Sequence, residues 1–172
     1  MEDGGFRVTT FIAPVVYNPV FYINDPVLLA RLKELEQIEA WAFAELLCGN
    51  ISKHVFYVTR QSNKAACVAD PNDDRAIPVF RNADVASLAE KAKAKGTYTA
   101  SIYGMKFSFP SPPMAAAILT RVDGVRTIAD IRAELQEINP QLSDAAFAQQ
   151  FLALYGALNG MSNLFLKLPV DK

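Results

Sequence analysis

Between Pro26 and Leu47, the residues Leu28, Leu29, Leu32, Leu35, Ile38, Trp41, Ala42, Leu46 and Leu47 recur at three- and four-residue intervals. Arg31, Lys33, Glu34, Glu36 and Glu39 fall between them. That spacing predicts one long amphipathic helix that packs through a single face. Asp25 suits its N-cap, Pro26 its first turn, and Gly49 its C-terminal stop. Upstream, residues 6–23 are rich in strand formers but interrupted by Pro14 and Pro19, so short strands or an extended arm are expected. Residues 51–60 read as a strand, and residues 70–75 as a loop of Asp, Asn and Pro. A polar helix over 84–95 ends at Gly96. Strands over 98–103 and 105–109 flank Gly104.

After Pro110, Pro112 and Pro113 the pattern changes to short helices over 114–122, 128–138 and 144–158, closed by a strand over 164–168. Thr127 with Asp130 three residues on is a capping-box variant, and Ser143 caps the third helix. The expected fold is α+β. An N-terminal mixed part, with the long amphipathic helix and antiparallel strands, covers 1–110. A three-helix winged-helix-like unit covers 111–172. Its core should take Ala117, Leu119, Ile128, Ile131, Leu135, Phe147, Phe151, Leu154 and Leu158. The third helix carries a second apolar stripe, Ala148, Leu152 and Tyr155 with Ala145 beside it, more than a small three-helix core requires. Ala148, Leu152 and Tyr155 are therefore the candidate partner-binding residues.

Charge narrows the choice of partners. With 17 Lys and Arg against 18 Asp and Glu, the chain lacks the overall attraction for phosphate backbones or anionic lipid that a basic protein has. Residues 144–159, which would be the recognition helix of a winged helix, contain Asp144 and no Lys or Arg, so DNA binding is not expected. The acidic start Met1-Glu2-Asp3 is unlike a secretory signal, and no apolar run approaches the roughly 20 residues of a membrane span. A cytoplasmic setting is expected, with Cys48 and Cys67 as free thiols packed as small hydrophobes.

Candidate chemistry is sparse. One histidine and two separated cysteines do not make a zinc site, and no glycine spacing forms a nucleotide loop. His54 shares a predicted strand face with Ser52 and is the one candidate base. Glu34, Glu36, Glu39 and Glu45 read as a solvated helix face. No catalytic residue, cofactor or metal is assigned.

The run Ala117-Ile118-Leu119-Thr120-Arg121-Val122-Asp123-Gly124-Val125-Arg126-Thr127-Ile128-Ala129-Asp130-Ile131, followed by two helices and a short strand, resembles the winged-helix domains of PqqD-like proteins. Similar domains close some bacterial S-adenosylmethionine-dependent methyltransferases, and residues 44–57 look like the segment that leads into such C-terminal parts. The resemblance implies a non-catalytic accessory or regulatory module of a methyltransferase that binds a protein or peptide partner. A helix and a β-edge would be presented to a peptide, as in PqqD-like domains. Alternatives are a winged-helix DNA regulator, a small enzyme using His54, and a homodimer joined through the apolar arm 6–23. The catalytic half of a methyltransferase, with its Gly-rich loop and acidic ribose-binding residue, has no counterpart here. Isothermal titration with S-adenosylmethionine should therefore give no binding, and a micromolar dissociation constant would overturn that expectation.

Overall fold

The structure, a computed structural model, describes residues 4–168 apart from Ala66, Asn82 and Lys95. Its secondary structure is α+β, with small antiparallel sheets among six α-helices. The chain divides into two compact units. Residues up to Cys67 join Ala100–Phe107 in the first, and Val68–Thr99 joins Ser108 onward in the second.

In the first unit, strands β1 (Phe6–Phe11) and β2 (Phe56–Arg60) form an antiparallel pair with a bulge between Val8 and Thr10. Pro14 and Pro19 each open a short 3-10 turn, which buries Val15, Val16 and Tyr17. The helix expected over 26–48 is two helices, α1 (Pro26–Leu32) and α2 (Gln37–Cys48). Asp25 caps α1 as expected, accepting from the N–H groups of Val27 and Leu28. The periodicity continues through the break, but Glu36 is extended and forms a capping box with Glu39, which starts a new helix. Gly49, left-handed at φ 66°, closes α2. Nor does α2 pack through one broad face: only Ala44 and Cys48 are buried.

The second unit holds β3 (Ile77–Phe80), α3 (Val85–Lys93), α4 (Ala115–Leu119), α5 (Ile128–Ile138), α6 (Asp144–Gly160) and β6 (Leu164–Lys167). Strands β4 (Thr97–Ile102) and β5 (Met105–Pro110) form a hairpin whose tip residues belong to the first unit. Tyr103 and Gly104 at that tip have φ of 51° and 80°, the paired positive values that a tight primed hairpin turn needs. The boundary expected at 110/111 does not match this division. β6 pairs with β3, in the register Val79 opposite Phe165. The free N–H groups of Ile128 and Ala129 at the start of α5 donate to Ala76 O and Asp74 O, each at 2.9 Å. Arg132 adds a 2.7 Å ion pair to Asp74. Residues 74–80 therefore belong with the helices, through pairings that their sequence does not encode.

The core of this unit is well filled. Leu119, Ile128, Ile131, Leu135, Phe147, Phe151, Leu154 and Leu158 are buried as the periodicity predicts; Ala117 is half-buried, and its neighbour Ile118 takes the core position. The capping box of Thr127 and Asp130 and the Ser143 cap both form. Ile131→Ala should destabilise the protein by about 2–5 kcal/mol, while Ile38→Ala on α2 should cost no more than about 0.5 kcal/mol. Denaturant unfolding of the two variants checks the contrast; similar losses would mean that α2 is covered.

Candidate functional site

The histidine singled out by the sequence lies outside any strand, because β2 begins at Phe56 rather than in the predicted 51–60 run. His54 stands instead at the centre of a three-residue chain. Its Nε2 is 3.2 Å from Glu45 Oε1, on the last turn of α2. Its Nδ1 is 3.0 Å from Tyr17 Oη, in the first 3-10 turn. The neutral tautomer with hydrogen on Nε2 satisfies both contacts, donating to the carboxylate and accepting from the phenol. Glu45 is exposed, as the sequence suggested, and also pairs with His54. Tyr17 was missed, and nothing in its local sequence marks it.

Aromatic packing holds this chain in place. Phe11 stacks on Tyr17 with ring centroids 3.8 Å apart and meets Trp41 and Phe56 edge-on. Tyr103, at the hairpin tip, donates to Lys53 O at 3.0 Å. Burial pushes the Tyr17 phenol up to about 12, and Tyr103, Glu45 and Cys48 add to the shift. Burial likewise raises Tyr22, which donates to Val16 O at 2.7 Å.

A general base must present a lone pair to its substrate. Both His54 nitrogens face protein groups, and Tyr17 is only 3% exposed and stays protonated at neutral pH. The Glu45–His54–Tyr17 chain therefore works as a clasp, tying the segment before β2 to α2 and to the 3-10 turn.

The exposed feature of this unit is apolar. Among large hydrophobic side chains, Leu46 is 80% exposed, Val27 69% and Ile38 61%, with Leu28, Leu35 and Leu47 also exposed. An open cleft of about 500 Å³ on α1–α2 is lined by Leu28, Leu32, Leu35 and Phe43, with Arg31 and Glu34 beside them. The stripe proposed on α6 is less open: Ala148 is exposed, but Leu152 and Tyr155 are half-buried, and Tyr155 stacks on Phe151 at 6.2 Å.

Neither thiol is in a disulfide. Cys48 is buried, as expected. Cys67 is exposed, within 3.4 Å of Asn63 Nδ2 and 3.8 Å of Arg7 Nη2, so it is not packed as a hydrophobe. Among the described residues no group of His, Cys, Asp and Glu could hold a metal, and no helix is long and apolar enough to cross a membrane.

Tyr17 titrates near 12 when folded and near 10 when unfolded, so its neutral form stabilises the fold fully below pH 10. That contribution should be lost as pH rises from 10 to 12. Alkaline titration followed by tyrosinate absorbance should show a late-ionising group that disappears in Tyr17→Phe; an unchanged profile would mean that the Tyr17 phenol is not buried. Compared with known proteins, the chain matches no family model and no curated protein.

Proposed function

We propose that this chain is a non-catalytic accessory or regulatory module that binds a protein or peptide partner. A methyltransferase is the partner class to which the resemblance of residues 117–131 points. The observation that supports the reading best is the uncovered apolar surface of α1 and α2. Apolar helix residues normally face a core, yet α2 leaves Ile38, Leu46 and Leu47 in solvent beside Glu39 and Glu45. Large contiguous apolar patches on a folded surface mark sites of association.

The cleft of Leu28, Leu32, Leu35 and Phe43 suits an apolar anchor, and Arg31 and Glu34 at its side offer one charge of each sign to orient it. On this reading α1–α2 is the main partner surface. The α6 residues Ala148, Leu152 and Tyr155 form a smaller second surface, since two of the three are already half-covered. DNA binding through α6 is disfavoured because the helix has no cation.

A photo-reactive residue in place of Leu46, introduced in the native host, should cross-link one discrete protein. In a second chain carrying the same probe at Leu47, Ile38→Ser and Leu46→Ser together should abolish that product, while each substitution shifts stability by no more than about 0.5 kcal/mol. If only the chain itself is recovered, or nothing, the accessory reading fails.

A further inference from the structure

The β1–β2 ribbon differs from the rest of the chain in charge. Residues 4–24 and 49–69, which supply both strands and their flanks, contain Arg7, Lys53, Arg60 and Lys64 and no Asp or Glu. The whole chain is nearly balanced, at 17 basic and 18 acidic residues. Arg7 donates to Asn63 O, a neutral partner, at 3.3 Å.

The ribbon also has an open edge. Gln61 N–H donates to Gly5 O at 2.8 Å, and Ile12 N–H to Val55 O at 2.9 Å. Alternation in an antiparallel ladder then turns the main-chain groups of Tyr57 and Thr59 toward β1, and those of Phe56, Val58 and Arg60 outward. The sheet has two strands, so no further strand pairs with these groups among the described residues. The outer edge of β1 is broken by its bulge, whereas β2 is regular and contains no proline.

The β3–β6 ribbon shows the contrast. There the bond from Arg81 N–H to Asn163 O sets the parity, which turns Pro78 outward, where it has no N–H to offer. On β6, Asn159 Nδ2 occupies Leu164 O at 3.0 Å. One ribbon has blunted edges; the other has a ready template.

We infer that the outer edge of β2 takes up an extended acidic segment of a protein partner by strand addition. The inference rests on the accessory-module reading and names a partner chemistry for it. Main-chain groups of Phe56 and Val58 and the N–H of Arg60 supply the ladder, the Arg60 carbonyl being taken by Asn63 N–H at 3.0 Å, and alternate side chains of the added strand supply selectivity. Apolar positions meet the face of Phe56 and Val58, the latter 46% exposed, and a carboxylate at the end of that same face meets Arg60. A second copy fits less well. Antiparallel pairing about Val58 would set Arg60 of one chain beside Phe56 of the other and toward its Lys53, and neither strand carries an acid to offset the charges. A nucleic-acid strand would use the cations but leave the ladder unpaired.

The test titrates the isotope-labelled full chain with a short synthetic peptide that carries valine opposite Phe56 and Val58 and glutamate at its other positions, the one opposite Arg60 included. Amide protons of Phe56, Val58 and Arg60 should become protected from exchange, and affinity should fall as salt rises. Arg60→Glu with Lys64→Glu should weaken binding by about tenfold. The lysine-for-glutamate peptide and a backbone N-methylated peptide should not bind. These control peptides leave the protein unaltered, so folding of a variant does not decide the outcome. The inference is overturned if the β2 amides do not respond, or if the N-methylated peptide binds equally well. It is also overturned if a single-stranded oligonucleotide displaces the peptide more tightly, or if those amides are already protected in a dimer. A partner cross-linked at position 46 with a silent β2 edge sinks strand addition alone. Peptide binding at β2 with no cross-linked protein sinks the accessory reading instead.

Discussion

Helix α2 carries more apolar residues than the side facing its own unit can bury, and much of this protein follows from that constraint. Ala44 and Cys48 point inward. Glu45, on the same last turn, is left to pair with His54. Ile38, Leu46 and Leu47 are left in solvent. Two short helices and a two-stranded ribbon cannot supply more cover.

The clasp converts part of that arrangement into order. Glu45 fixes His54 from the helix, Tyr17 fixes it from the 3-10 turn, and Tyr103 holds Lys53 next to it. All three contacts act within a few residues of Phe56, where β2 begins. A strand edge whose entry is held this firmly loses less conformational freedom when another chain pairs with it. Tyr103 adopts a positive φ that non-glycine residues avoid, and its hydroxyl contact offsets that strain.

The second unit solves a different problem. Its helices bury a continuous apolar core, and its surface charges are paired: Arg121 and Arg126 both reach Glu134, and Arg132 reaches Asp74 and Asp144. The clasp and the most exposed large apolar side chain, Leu46, lie in the first unit, while the second buries the larger apolar core.

Local signals sufficed wherever a residue's partners lie within one helix turn. The helix over 128–138, the caps at Asp25, Thr127 and Ser143, the hairpin turn before Met105 and the buried stripe Phe147, Phe151, Leu154 and Leu158 could all be read from spacing and cap chemistry. One local feature escaped: periodicity runs unbroken across Glu36, so the split into α1 and α2 shows only in the capping box with Glu39. Long-range pairing could not be read at all. Nothing in Ile77-Pro78-Val79-Phe80 names Leu164–Lys167 as its partner, and that pairing moves the unit boundary. Glu45, His54 and Tyr17 are separated by up to 37 residues, and no local rule brings them together. The sequence by itself determined which segments are helical and how most of the helices are capped, because those energies are local. Tertiary structure alone decided which apolar surface stays uncovered and what the one histidine does, because both depend on what the rest of the chain leaves unburied.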